Sequence, residues 1–537
     1  MPAEAPTTLL RGGLLQAAAQ GDRASDSLLI VGDRIGWVGA HQDAPAADRI
    51  VDLAGSRVVP GLTDAHLHFF MRAQELVNLQ LGTAGSLPDL LDRVQRGCAA
   101  ATRDEWIISS DYSEQSLAER RHPTLDELDA VAQGRPVLLR RTGGHLTVAN
   151  SAALERAGID ANTPDPPGGT IERKNGRLTG VLTELAADEL AAKAPPPSPA
   201  RMIRAIGDVI RESLGFGIVA AVEAAVGFNS GFETEWNIWS AIRDAGLPPL
   251  RLGFMLRIDP AQARDLGIAP TGLDPWWQVR TLKFFVDGII GARTAAFSEP
   301  YVDRDTCGLL IEESTELRAK AIEAHAAGWQ LAAHVIGDRA IDQWLSALEA
   351  AQKADPRPDP RHRLEHFAVR GEDALRRVRA LGAIVVPQYG FLPRLGASFA
   401  QAIGPDRTSN LYPGRSALQA DVSIAGSSDH PIGPLSPFIG IAAAVDRLTS
   451  TGLTINASEA LTRPEALSLY TRGGAVAMGH ETWRGSISAG QAADIAVLDR
   501  DILLESSDIA RTTSRATWVG GKLVHSDGTL NPLPIDT

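Results

Sequence analysis

The middle of the chain alternates apolar runs with helix-like segments, and this alternation limits the possible folds more than any other feature. Buried parallel strands are continuous apolar runs rather than alternating ones. Eight such runs occur, at residues 59–68, 216–224, 249–256, 281–288, 329–338, 362–368, 383–389 and 422–430. Helix-like stretches such as 314–328 separate most of them. Eight parallel strands predict a closed (β/α)8 barrel, whose active site lies at the carboxyl ends of the strands.

Both ends of the chain have a different pattern, with short apolar runs interrupted by Gly and Asp. DSLLIVGD and RIGWVGA represent the amino-terminal end, and RATWVGGKLVHSDG the carboxyl-terminal end. Such runs are typical of short antiparallel strands. We therefore expect residues 1–58 and 481–537 to form one β-sandwich domain around the α/β middle.

About 150 residues separate the first predicted barrel strand from the second, far more than one ordinary connection needs. The excess predicts an inserted cap subdomain at 81–195, which ends within the Pro-rich segment APPPSP (194–199). The barrel domain then comprises residues 59–80 and 196–480.

Charge and cysteine content limit the partners and the compartment. The net charge is −13 and no Lys/Arg-rich block occurs, so we expect neither nucleic acid nor an anionic membrane as a partner. The two cysteines, Cys98 and Cys307, are far apart and form no CxxC motif. With no signal-peptide pattern and no apolar stretch of membrane-spanning length, we expect a cytoplasmic protein.

Four histidines and one aspartate occur where predicted barrel strands end. His66 and His68 form an H-x-H pair, and alternate residues of a strand face the same side. His334, His366 and Asp429 end the fifth, sixth and eighth predicted strands. Strand ends converge on one rim of a barrel, and imidazole is a common ligand of zinc and similar metals. This pattern predicts a metal site.

Lys283 lies among apolar residues of the fourth predicted strand, in TLKFFVDG. A buried, charged and unpaired lysine is energetically costly. It needs a carboxylate partner, a lowered pKa or a chemical modification. Carboxylation by CO2 would make it an anion able to bridge two cations.

Several motifs together resemble the amidohydrolase superfamily. They are the opening VVPGLTDAHLH, the strand-four lysine, the two later histidines, the late Ser-Asp and the closing GSISAGQAADIAVLD (485–499). The phrases KFFVDGIIGARTAAF (283–297) and GHLTVANSAAL (144–154) are similar to the amidohydrolase-3 branch, which includes YtcJ-like proteins and N-substituted formamide deformylases.

The resemblance implies a metal ligand set. His66, His68 and Asp429 would bind one divalent ion, and His334 and His366 a second, with carboxylated Lys283 as the bridge. Two zinc ions per chain are expected, with manganese, iron or cobalt as alternatives, and CO2 for the lysine. If Lys283 stays an amine, a single-metal site follows.

The resemblance also implies hydrolysis of a non-peptide C–N bond in a small-molecule substrate, an N-substituted amide or formamide. Coordination lowers the pKa of water to roughly 7, and Asp429 is the candidate general base. The alternatives are a cyclic amide or lactone hydrolase and a heterocycle deaminase on the same site. A non-catalytic scaffold should have lost metal ligands, and here each position is occupied. A homodimer is compatible with the family.

Further candidates for substrate contacts lie in the predicted cap and rim loops. His145 either reaches the substrate carbonyl, as the branch resemblance implies, or is a surface histidine. Arg140 and Arg141 either bind a substrate carboxylate or form a solvated strand end. Arg293 is expected at the catalytic rim.

Other residues near the strand ends are assigned to the pocket wall or to structural roles. Tyr389, Phe391 and Phe438 are candidates for the pocket wall. Trp276 and Trp277 are expected in the core. Glu365 should point away from its neighbour His366 and form a structural ion pair, and His430 is a candidate for contact with the metal ligands.

Overall fold

The chain folds into two compact units. The computed structural model describes residues 6–16, 25–102, 105–142, 146–246 and 248–530. The main unit contains both ends of the chain, up to Phe70 and from Gly207 onward, and the inserted unit spans Met71–Ile206. The separate sandwich, barrel and cap boundaries predicted above stay a prediction.

Six short strands begin the main unit. They are β1 (Thr7–Arg11), β2 (Leu14–Leu15), β3 (Ser27–Val31), β4 (Arg34–Gly39), β5 (Arg49–Asp52) and β6 (Arg57–Pro60). Strands β4, β3, β1 and β5 form one sheet in that order. The β3–β4 hairpin turns at Gly32, whose φ of 58° is available to glycine without a Cβ clash.

Strand β7 (Leu62–Leu67) belongs to the main unit. The inserted unit begins at Met71, within helix α1 (Phe69–Val77). Its strands are β8 (Ile107–Tyr112), β9 (Val137–Arg141), β10 (Leu146–Ala149), β11 (Gly169–Lys174) and β12 (Arg177–Glu184), in the sheet order β11-β12-β10-β9-β8. Its helices are α2 (Leu87–Ala100), α3 (Leu125–Ala132), α4 (Ser151–Ala157), α5 (Leu185–Ala191) and the start of α6 (Pro199–Gly215). A Thr124–Glu127 capping box begins α3.

A parallel sheet of eight strands is the centre of the main unit. After β7 it contains β13 (Ile218–Val226), β14 (Arg251–Leu256), β15 (Trp277–Phe285), β16 (Gln330–Val335), β17 (Arg363–His366), β18 (Ile384–Val386) and β19 (Ser423–Ile424). The strands neighbour one another in chain order from β7 to β19. Each of the eight predicted apolar runs supplies one of them.

Helices lie between these strands and after the last of them, as is typical of βα units. They are α7 (Phe232–Asp244), α8 (Pro260–Asp265), α9 (Ser314–Ala326), α10 (Asp338–Ala354), α11 (Ala374–Ala380), α12 (Phe391–Thr408), α13 (Arg415–Gln419), α14 (Pro437–Asp446), α15 (Arg463–Ser468) and α16 (Gly474–Met478). Trp239 on α7 packs against Phe254 and Trp277 of the sheet, and Trp344 on α10 packs against Phe284. Trp277 is buried as expected, whereas Trp276 is partly exposed.

Backbone hydrogen bonds join β7 and the residue after it to the segment that follows the last strand, β19. The amide of Ala65 donates to the carbonyl of Gly426 at 3.1 Å, and the amide of Asp429 donates to that of His66 at 2.8 Å. A third bond runs from His68 to His430 at 2.8 Å. The sheet is therefore strongly curled, and the segment that follows β19 lies beside β7. The fold is mixed α/β.

Strands from both ends of the chain form the fourth sheet, in the order β2-β6-β20-β21-β22. The last three strands are β20 (Ile495–Leu498), β21 (Ser514–Val519) and β22 (Lys522–Ser526). Buried aliphatic residues from both ends, such as Leu28 and Val497, share one core. No helix in the described part of the chain is long and apolar enough to cross a membrane.

Candidate metal centre

His66 and His68 lie at the carboxyl end of β7 and direct one nitrogen each at Asp429. The distance from Asp429 Oδ1 is 3.2 Å to His66 Nε2 and 3.0 Å to His68 Nε2. All three side chains are buried. Asp429 reaches this position because its own amide is bound to the carbonyl of His66, with a left-handed φ of 53°. The H-x-H pair and the late Asp thus converge, as the sequence predicts.

His334 and His366 end the neighbouring strands β16 and β17 and lie on the same side. Their ring centroids are 4.3 Å apart, and the His366 ring is 5.2 Å from that of His66. One ligand atom from each of His66, His366 and Asp429 lies within 4.8 Å of the other two. Two nitrogens and one carboxylate oxygen around one point are a donor set that suits zinc or a similar divalent ion.

Three of the four histidines have one ring nitrogen bound to a protein oxygen other than those of Asp429. His66 Nδ1 is 2.6 Å from Glu365 Oε2, and His366 Nδ1 is 2.7 Å from Gln388 Oε1. His334 Nε2 is 3.0 Å from the carbonyl oxygen of Gly288. Metal-binding histidines commonly donate their second N–H to such acceptors, which fix the ring. The arrangement therefore fits metal ligation.

The position of Glu365 corrects a prediction from strand alternation. We expected its side chain to point away from that of His366, but it contacts His66, whose ring is close to that of His366. Alternation fails here because His366 and Phe367 have φ angles of 68° and 46°, so the extended backbone ends at His366. The predicted ion pair is present: Arg363 donates to both oxygens of Glu365, at 2.7 and 3.2 Å.

Lys283 is buried in β15, close enough to Glu365 and Asp429 to interact electrostatically with both. Burial lowers the pKa of Lys283 to about 8, against the opposing effect of these two carboxylates. Among the described residues it forms no direct ion pair. A lowered pKa is one of the three alternatives that the sequence left open for this lysine, and the neutral amine that it favours is the form that reacts with CO2.

The pKa shifts of His334, His366 and Asp429 favour the protonation states that bind metals. Burial lowers the pKa of His334 to about 4 and that of His366 well below its usual value, so both rings are neutral near pH 7. Burial would raise the pKa of Asp429, but hydrogen bonds from His66 and His68 hold it well below the ordinary value. Neutral imidazoles and an ionised carboxylate are the forms that ligate a cation.

Several buried polar groups around the cluster were not identified from the sequence. Asp64 Oδ1 accepts the amides of His66 and Ser428, and burial raises its pKa to about 6. Glu223 Oε1 lies 3.9 Å from His68 Nδ1. Gln388 orients His366. An acidic residue inside an apolar strand, as in GLTDAHLH and IVAAVEAAV, is the signal that could have found the first two.

Asp287 supports the loop beside His334. Its carboxylate accepts the amides of Ala296, Ile336 and Gly337 at 2.9–3.0 Å, and its Oδ1 lies 3.8 Å from His334 Nε2. Burial raises the pKa of Asp287 to about 7, although the three amide donors act in the opposite direction. The same loop supplies the Gly288 carbonyl that binds His334, so Asp287 positions that histidine indirectly.

The predicted substrate-contact residues of the main unit are engaged elsewhere. Arg293 donates to both oxygens of Asp303 and to backbone carbonyls in its own loop. The Tyr389 hydroxyl donates to the carbonyl of Pro413, and Phe391 and Phe438 are almost fully buried. His430, which was predicted to contact the metal ligands, has its Nδ1 3.0 Å from the carbonyl oxygen of Gly433. The roles predicted for these residues stay predictions.

The candidates in the inserted unit are also engaged. Arg140 forms an ion pair with Asp188 at 2.6 Å, and Arg141 one with Glu114 at 2.7 Å. His145 lies outside the described residues.

Comparison with known proteins identifies the family. The sequence model of the amidohydrolase family matches residues 49–525, and the chain belongs to this family. The N-substituted formamide deformylase of Arthrobacter pascens is 31% identical over 527 residues, which cover 93% of this chain and 94% of that protein. The YtcJ protein of Bacillus subtilis is 28% identical over 481 residues, 88% of this chain and 90% of that one.

A solved structure agrees with this assignment. An uncharacterised metal-dependent hydrolase from Pyrococcus furiosus superposes with a TM-score of 0.76 at 26% identity, over 93% of this chain and 100% of that one. The protein is an enzyme, a hydrolase of the amidohydrolase family with relatives that act on carbon–nitrogen bonds.

Proposed function

We propose that this enzyme hydrolyses an N-substituted amide or formamide at a divalent metal site formed by His66, His68, His334, His366 and Asp429. The observation that carries the proposal is the convergence of these side chains, with Asp429 Oδ1 within 3.2 Å of two imidazole nitrogens. The Arthrobacter relative, named for deformylation of N-substituted formamides, supports the substrate class.

The proposed fold is a closed (β/α)8 barrel with a β-sandwich from both ends of the chain. The backbone bonds between β7 and the segment after β19 support closure, because a closed barrel has no free sheet edge. The sheet formed by β2, β6 and β20–β22 supports the sandwich.

The chemistry follows from the residues and from the metal they would hold. A divalent ion bound there would lower the pKa of water to about 7 and polarise the scissile carbonyl. In our proposal Asp429 takes the proton of the attacking water at its carboxylate and passes it to the leaving amine nitrogen. Glu365 and Gln388 hold the rings of His66 and His366 in place. Lys283, carboxylated by CO2, would be the bridging ligand between this ion and a second one.

Metal content tests the site. Elemental analysis should be made on protein prepared with bicarbonate, for the wild type, Lys283→Ala and the exposed control Lys353→Ala. Two ions per chain in the wild type and the control, with fewer in Lys283→Ala, would support the bridged site. One ion in all three would exclude Lys283 as a bridge, and none under any preparation would contradict metal-dependent hydrolysis.

A panel of small substrates tests the reaction. N-substituted formamides and linear amides should be hydrolysed faster than cyclic amides, lactones or aminated heterocycles. Faster turnover of cyclic amides or lactones would favour the cyclic amide or lactone hydrolase alternative. Faster turnover of aminated heterocycles would favour the deaminase alternative.

In our proposal the substrate is a small molecule, the compartment is reducing, as two free cysteines permit, and a homodimer is the expected assembly.

A further inference from the structure

Arg257 stands at the rim of the candidate metal centre. It follows β14 directly and is exposed. Its guanidinium carbon lies 5.3 Å from the ring centre of Phe228 and 5.4 Å from that of Phe285. The two rings stack on each other at 5.2 Å. Contact with two aromatic rings holds a guanidinium in place by cation–π attraction while its N–H groups stay available.

The same two rings flank the metal ligands. Phe285 stacks on His334, with ring centres 5.6 Å apart, and Phe228 lies 6.4 Å from the ring of His68. Phe228 leaves 42% of its surface exposed, which is unusual for a phenylalanine beside a polar cluster. An apolar wall therefore runs from two of the proposed metal ligands to Arg257.

Arg257 is a cation without a carboxylate partner among the described residues. It lines a cleft of about 280 Å³ together with Phe285 and Lys283. Apart from Lys283, the other charged side chains of this cleft pair with one another, since Lys320 contacts Asp259 at 3.4 Å and Glu312 at 3.3 Å. Burial raises the pKa of Glu235 against the opposing charge of Arg257, and this carboxylate is already bound by the amides of Gly227, Asn229 and Ser230.

We propose that Arg257 binds a carboxylate of the substrate, and that the substrate's apolar part lies along Phe228 and Phe285. The substrates would then be amides of amino acids or similar compounds that carry both an apolar group and an anion. A planar guanidinium suits a carboxylate because it offers two parallel N–H donors. This inference rests on the proposed amide hydrolysis and specifies its substrate class.

Turnover of a matched substrate pair tests the inference. N-formylphenylalanine and N-formylphenethylamine differ only in the carboxylate. We expect Arg257→Gln to lower kcat/KM for the acid about tenfold, mainly through KM, and to leave the neutral amide within about twofold. Arg257→Lys should retain part of the preference. The control Arg264→Gln changes an exposed arginine on α8 that pairs with Glu323 and should change neither substrate.

Binding separates this inference from the proposed reaction. Calorimetry on metal-loaded protein should compare 3-phenylpropanoate with the neutral 3-phenylpropanamide, in the wild type and in both Arg257 variants. Tighter binding of the acid that disappears in Arg257→Gln would support the subsite even if no amide were turned over. Equal binding of acid and amide by the wild type, or an unchanged acid affinity in Arg257→Gln, would overturn it. A purely structural role would lower Tm and weaken both ligands alike.

Discussion

Glu365 Oε2 lies 2.6 Å from Nδ1 of His66, and both side chains are buried. The contact fixes the imidazole so that Nε2 faces Asp429. Arg363 holds Glu365 in turn through two hydrogen bonds. A proposed metal ligand, His66, is thus supported by the carboxylate of Glu365, which is supported by the guanidinium of Arg363.

Glu365→Gln should weaken divalent metal binding by about 10- to 100-fold, because the neutral amide is a poorer acceptor and orients His66 less strongly. Competition with a chelator measures the affinity. The control is Glu349→Gln, which changes a partly exposed partner of Arg377. An unchanged affinity in folded Glu365→Gln protein would show that this contact does not support the metal site.

Asp429→Asn should lower kcat by about 10²- to 10⁴-fold with little change in KM, because a general base acts mainly in the transition state. Steady-state kinetics and metal content should be measured on the same preparation. A loss of activity that is matched by loss of metal would assign Asp429 to ligation alone. Asp265→Asn, at an exposed position of α8, is the control.

The Arg251–Asp494 ion pair should be one of the larger single contributions to the stability of the main unit. Two hydrogen bonds of 2.7 and 2.9 Å join these buried side chains. Asp494→Asn leaves a buried guanidinium unpaired, and we expect the free energy of unfolding to fall by about 3–5 kcal/mol. Asp373→Asn, in an exposed pair with Arg376, should cost less than about 1 kcal/mol. Urea denaturation measures both, and similar costs would contradict the prediction.

Acidic pH should destabilise the protein partly through His325 and His362. His325 Nδ1 lies 2.8 Å from His362 Nε2, and burial lowers the pKa of both rings. In the unfolded chain these histidines titrate near pH 6.5, so below that pH the unfolded state binds protons that the folded state does not. The contribution of the two neutral histidines to the free energy of unfolding is therefore fully present above pH 6.5, and it is lost as the pH decreases.

In the variant His362→Asn, the free energy of unfolding should decrease less steeply between pH 7.5 and 5.0, by up to about 1.4 kcal/mol per pH unit for the removed group, as urea denaturation at each pH measures. The other buried histidines are present in both proteins, so the difference isolates the contribution of His362. His41→Asn, at an exposed position, should keep the wild-type slope. An identical slope in His362→Asn would contradict the assignment.

The sequence was informative where burial and strand ends leave a local pattern. The eight apolar runs each became one strand of the parallel sheet, because a strand covered on both faces must be apolar throughout. Four histidines and Asp429 were identified because polar residues at the ends of such runs are conspicuous. Strand ends distant in sequence meet at one edge of a parallel sheet.

Prediction failed where the backbone left its regular geometry. The orientation of Glu365 was predicted wrongly because alternation assumes an extended chain through His366, and a left-handed residue there cannot be recognised from residue type. The ion pair between Arg293 and Asp303, ten residues away, could not be predicted either, because the conformation of a loop depends on its contacts rather than on sequence periodicity.

The sequence by itself determined the α/β class of the fold and the family, and it predicted a set of metal ligands, because each depends on local composition and spacing. Only the tertiary structure decided which ring nitrogen of His66, His334 and His366 is held by a supporting oxygen atom. Glu365, Gln388 and the Gly288 carbonyl bind these nitrogens, and they come from different strands and loops. Contacts of this kind arise from packing between elements, which no local sequence pattern records.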